Sequence, residues 1–133
     1  MLQSLLAVIG GFAAMAVLVM ISTAIAATML LPGGVASMAT PTAPLSTRYL
    51  ATNLGCSGVA ALTGGMLTAR LAPTAPAGHG VALAALMLVM SFVSMRQAKD
   101  RQPRWYQVTL MTLMPAVAIA GAWAMGVWSE MPR

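Results

Sequence analysis

Apolar residues run through this chain in blocks far longer than a strand or an amphipathic surface helix needs, and the few charges fall between the blocks. From Met1 to Thr47 there is no Asp, Glu, Lys, Arg or His, and further uncharged stretches run from Tyr49 to Ala69, from Gly80 to Met95 and from Trp105 to Ser129. Crossing a hydrocarbon core about 30 Å thick takes roughly 17–25 apolar residues at 1.5 Å rise each. The first block exceeds that length, and the second and fourth meet it. The third reaches it when His79 and Arg96 stand at the two interfaces, with Arg96 snorkelling outward. The pattern predicts spans over about 2–31, 45–71, 79–96 and 105–128, with a basic loop at 96–104. The predicted fold class is all-α: a polytopic membrane protein whose single transmembrane domain, residues 1–133, is a bundle of four transmembrane helices.

Breakers punctuate these blocks where the spans should end. Pro32-Gly33-Gly34 stops the first, and Gly10-Gly11 near its start allows a bend or close packing. Ala24-Ile25-Ala26 looks like a signal-cleavage site, but Met1-Leu2-Gln3-Ser4 lacks the positive residue of a signal peptide. The apolar run to Leu31 is also longer than the 7–15 residues of a signal core, so the segment is expected to be retained. The linker from Pro32 to Pro44 is rich in Gly, Ala, Thr and Pro, and Ser46 or Thr47 then caps the second helix. Pro73 and Pro76 make a short turn before the third span, and Pro115 predicts a kink within the fourth.

Composition agrees with the pattern: 59% of residues are hydrophobic and 7% are charged, where a soluble domain carries roughly a quarter charged. The net charge of +5 would raise nucleic-acid binding in a soluble chain. Here the basic residues gather at helix ends and in one loop, which suits anionic headgroups; a folded basic surface for nucleic acid is missing. Arg96, Lys99, Arg101 and Arg104, followed by Trp105 and Tyr106, are the expected headgroup contacts. Four crossings place Arg48 with this loop, and Arg70 and Arg133 with the amino terminus. The positive-inside tendency therefore predicts loop 96–104 in the cytoplasm and both termini outside.

Candidate chemistry is sparse. One His, one Cys and two acids cannot supply the ligand clusters of most metal sites, and no Gly-rich phosphate loop lies between a strand and a helix. Asp100 and Glu130 fall on opposite sides of the membrane, so they cannot act as a carboxylate pair. Cys56 reads as a small packing residue, His79 as an interfacial histidine, and Met87 and Met90 as packing filler rather than copper ligands. No ionisable residue sits near the middle of a span, which argues against an ion-coupled exporter. The expectation is a non-enzymatic protein with no catalytic or metal residues and no cofactor. The one surface made for contact is on the second span. Asn53, Ser57, Ala61, Gly65 and Ala69 recur every four residues along a face, with Ala60, Gly64 and Thr68 beside them. Ala118, Ala122 and Gly126 make a similar stripe on the fourth. Asn53, the most polar residue in any span, is expected to hydrogen-bond another helix.

The run Gly64-Gly65-Met66-Leu67-Thr68-Ala69-Arg70-Leu71-Ala72-Pro73, then His79 opening an apolar helix and Trp105-Tyr106 opening the last span, resembles, over roughly Asn53 to Trp123, a group of uncharacterised bacterial four-helix membrane proteins. In that group a Gly-Gly-x-x-x-Ala-Arg-x-Ala-Pro segment closes the second helix. Its members often carry basic residues after the Ala-Pro, where this chain has Thr74-Ala75-Pro76-Ala77. The resemblance implies a bacterial inner-membrane location and a fold, and no activity. The function expected is an accessory or stabilising subunit that meets another membrane protein, or a second copy, within the lipid bilayer. The alternatives are a small oligomeric transporter or pore for hydrophobic or cationic solutes, and a bundle binding a lipid, quinone or pigment.

Overall fold

The computed structural model describes residues 2–39, 45–97 and 102–129. Lys99 and Arg101 of the basic loop, with Asp100 and Glu130, lie outside the described residues. Among the described residues five helices follow one another: α1 (Leu2–Leu30), α2 (Ala36–Ala39), α3 (Thr47–Leu71), α4 (Pro76–Gln97) and α5 (Arg104–Ser129). All but the single turn of α2 are long and apolar enough to cross a membrane, so the chain is an all-α bundle of four membrane-spanning helices.

Local chemistry accounts for the boundaries. α1 ends where Gly33 and Gly34 take positive φ values of 88° and 60°, a conformation that costs glycine little. Ser46 provides the cap of α3, its hydroxyl accepting from the Tyr49 amide at 3.3 Å. At the other end the Ala72 amide still bonds the Thr68 carbonyl at 3.0 Å, and Pro73 stops further winding. α4 starts at Pro76, three residues before the sequence places it, because proline suits the first helical position. The gain settles the length of this span: 22 residues reach about 33 Å. α5 runs on through Pro115, which is buried, leaving the Met111 carbonyl without its helical amide.

Ala75, in the turn before α4, holds φ 47° without being glycine. A Cβ in this region costs roughly 1–2 kcal/mol. Ala75→Gly is expected to raise the thermal midpoint of the detergent-solubilised protein by a gain on the order of 1 kcal/mol. A midpoint unchanged or lowered would show that the turn stores no such strain.

Residue pairings give the directions of the helices. Gly11 meets Thr68 while Thr23 meets Asn53, so α1 and α3 are antiparallel. Asn53 meets Tyr106 and Gly65 meets Ala118, so α3 and α5 are parallel. Gly80 touches Ala122 and Gly126 touches Pro76, so α4 and α5 are antiparallel. α3 packs mainly on α1 and α5, α5 also on α4, and lesser contacts of α4 with α1 and α3 close the bundle. One end, the linker end, therefore carries the starts of α3 and α5. The opposite, turn end carries the starts of α1 and α4.

The core is built largely of alanine, with Met15, Leu50, Leu83, Met87, Met114 and two tyrosines as its larger members. Many large apolar residues, such as Leu2, Met20, Met29 and Val59, point outward. In water this would be inverted. In lipid nothing drives leucine inward, and helices associate by close van der Waals contact between small residues.

Candidate functional site

Three helices meet at one polar node near the linker end. The Thr23 hydroxyl of α1 donates to Asn53 Oδ1 at 2.7 Å, and Asn53 Nδ2 of α3 donates to the Tyr106 hydroxyl of α5 at 2.6 Å. Tyr106 is 1% exposed and packs with Ala26, Ala27, Tyr49 and Leu50. The Tyr49 hydroxyl lies against Met38 Sδ at 3.7 Å, tying the linker onto the same cluster. Away from water, an amide that bonds two helices at once keeps both of its ends satisfied.

This arrangement corrects the expectation for Tyr106. The sequence places it at the headgroups with Trp105, yet only Trp105 is exposed there, and Tyr106 turns inward. Successive helical residues stand about 100° apart, so Tyr106 can turn into the bundle while Trp105 faces outward. Asn53 takes the phenol. The two rings instead meet edge to face, with centroids 5.8 Å apart. Of the basic headgroup candidates within the described residues, Arg96 and Arg104 are exposed. The Arg96 guanidinium lies 4.8 Å over the ring of Phe92, one turn back along α4, rather than reaching straight outward.

The row on α3 is spent inside the chain. Asn53 is half-buried, and Ser57, Ala61, Gly65 and Ala69 are buried. A four-residue repeat drifts about 40° per step around a helix, so neighbouring positions address different partners. Gly65 lies against the backbone carbonyl of Ala118 on α5. Gly64, in the adjacent row, stands with its absent Cβ 2.9 Å from that of Met15 on α1. Gly121 approaches the Leu62 carbonyl in the same manner. Thr23 and Gly11 are the partners that the α3 pattern alone does not reveal. A hydroxyl inside the uncharged first block and the Gly10-Gly11 pair are the signals that could have found them.

One group in this packing is unsatisfied. The Thr68 hydroxyl is buried against Gly11 with no hydrogen-bond partner. Thr68→Val keeps the branched shape and removes the orphan oxygen, so stability should hold or rise by about 1 kcal/mol. A clear loss of thermal stability would mean that the hydroxyl is bonded in the membrane. Other hydroxyls fold back on their own helices: Thr63 onto the Val59 carbonyl at 2.9 Å, Thr109 onto Trp105 at 2.8 Å and Thr112 onto Val108 at 2.9 Å.

His79 Nδ1 stands 3.1 Å from the Ala75 carbonyl in the first turn of α4, and Cys56 is half-buried on α3. Among the described residues no three of His, Cys, Asp and Glu come together. Among the described residues the geometry thus joins helices by a polar node and several backbone contacts, and brings no cluster of reacting groups together. Comparisons with protein-family models, with curated proteins and with solved structures return no match to this chain.

Proposed function

We propose that this chain is a non-enzymatic accessory or stabilising subunit that associates laterally with another membrane protein. The observation supporting it is how the polar chemistry of the spans is used. Asn53, the side-chain amide set deepest in any of them, is committed between Thr23 and Tyr106. Backbones in contact at Gly11–Gly64 and Gly65–Ala118 fill the interior around it. A bundle so closed acts through its outer surface, which is apolar and of membrane depth. The same reading places it in a bacterial inner membrane, with the loop at 96–104 cytoplasmic and both termini outside.

Extraction of the chain from its native membrane in mild detergent, after brief cross-linking, tests the proposal. The expected result is one membrane protein recovered in fixed stoichiometry with it. Recovery of the chain alone from cross-linked native membranes overturns the reading.

A further inference from the structure

On the lipid-facing side α1 and α3 part, leaving a groove of about 420 Å³. Leu18 and Ser22 of α1 and Thr52, Gly55, Cys56 and Val59 of α3 line it. Its size falls among clefts that hold small ligands, roughly 300–1,000 Å³. The floor is open because a Cβ added at Gly55 would meet nothing within 4 Å. Ser22 brings little polarity, since its hydroxyl is already turned to the Val19 carbonyl at 3.1 Å.

Arg48 lies one turn before Thr52, on the face of α3 that lines this groove. At about 100° per residue, Thr52, Gly55 and Val59 all fall within roughly 40° of Arg48 around α3. The α3 positions from Thr52 to Val59 lie about 6–17 Å further along the helix axis, toward the middle of the bilayer. Arg48 is exposed in the first turn of α3, and helical side chains lean toward the amino-terminal end, here the membrane surface. A cation at headgroup depth, above an apolar slot that points into the hydrocarbon, matches the shape and charge of one lipid molecule. Guanidinium also holds phosphate in a two-point hydrogen-bonded pair.

We propose that the α1/α3 groove binds one anionic phospholipid, with its phosphate on Arg48 and one acyl chain lying along Thr52, Gly55 and Val59. A second copy of the chain is a poorer occupant. It would bring Arg96, Lys99, Arg101 and Arg104 to the same end with Asp100 as their sole acid, and so repel Arg48. The inference concerns the chain by itself and does not depend on the accessory-subunit reading.

Native mass spectrometry of the purified, delipidated full chain tests it, using phosphatidylglycerol and phosphatidylcholine with identical acyl chains as probes. The wild type should hold one phosphatidylglycerol per chain about tenfold more tightly than phosphatidylcholine. Arg48→Gln should lose most of that preference. Gly55→Leu, which plugs the slot, should weaken both, and Arg70→Gln at the opposite end should change neither. Equal binding of the two lipids by the wild type, or an unaltered preference in Arg48→Gln, overturns the proposal. So does a dimer that Gly55→Leu converts to monomer while lipid binding persists. A thermal melt checks that Gly55→Leu is folded, and Val59→Trp serves as the plug if it is not.

Discussion

Gly65→Val is expected to force α3 away from α5 and to cause the largest loss of stability of any single substitution considered for this chain. A Cβ at this position falls on the Ala118 carbonyl, with the Ala118 Cα at 3.1 Å. Neither is the end of a flexible side chain, so no rotamer change relieves the clash. Overpacking typically costs about 1–3 kcal/mol where side chains can yield, and backbone against backbone should reach or exceed the upper figure. Gly11→Val should act similarly on α1, since its Cβ meets the Thr68 hydroxyl and lies 2.7 Å from the Gly64 carbonyl. Gly55→Val is the control, because that position opens onto the groove. Unfolding of the three variants by titration with a denaturing detergent would measure this. Equal midpoints for Gly65→Val and Gly55→Val would refute the close α3–α5 contact.

Asn53→Leu should produce the largest effect after these backbone clashes, through a different mechanism. It removes both interhelical bonds of the node and leaves the Thr23 and Tyr106 hydroxyls facing leucine. Interhelical hydrogen bonds in membranes contribute about 0.6 kcal/mol on average and up to about 1.7. Two of them, plus two stranded hydroxyls, place the expected loss at roughly 1–3 kcal/mol. Tyr106→Phe removes only one bond and should cost less. In the double variant the effects should not add, because Asn53→Leu has already broken the bond that Tyr106→Phe deletes. Trp105 reports on the site, since its ring meets Tyr106 at 86°. Asn53→Leu should therefore shift Trp105 emission in a background where Trp123 and Trp128 are replaced by phenylalanine. Strict additivity of the two losses would mean that Asn53 and Tyr106 are not coupled.

These two predictions mark where reading the chain succeeded and where it stopped. Gly65, Ser57, Ala61 and Ala69 stand out in the sequence because small residues at four-residue spacing have one simple use in lipid, which is to admit another backbone. Which backbone each admits is not written in the spacing. Gly64 and Gly65 are neighbours in sequence, yet one meets α1 and the other α5. Tyr106 marks the same limit. A tyrosine beside a tryptophan at a span's end matches the interfacial pattern, and only the approach of Asn53 from another helix turns it inward.

The groove under Arg48 has a similar history. Arg48, Thr52, Gly55 and Val59 share one face of α3 by helical geometry alone, but a face becomes a slot only when Leu18 and Ser22 of α1 form its other wall. The starting residue of α4, by contrast, is set locally, by a proline suited to the first helical position. The uncharged stretch from Gly80 to Met95 reads as slightly short, while the helix begins at Pro76, after the turn that Ala75 makes.

The sequence by itself determined that the chain is all-helical, where its four long spans lie, and that small residues rather than large ones would meet between them. Those properties follow from uninterrupted apolar length and helical periodicity, both local along the chain. Tertiary structure alone decided that α3 lies between α1 and α5, that Asn53 bonds both, and that a groove opens beneath Arg48. Each depends on which helix faces which, and in a bilayer that choice rests on close steric fit and a single polar node, with no hydrophobic gradient for the sequence to record.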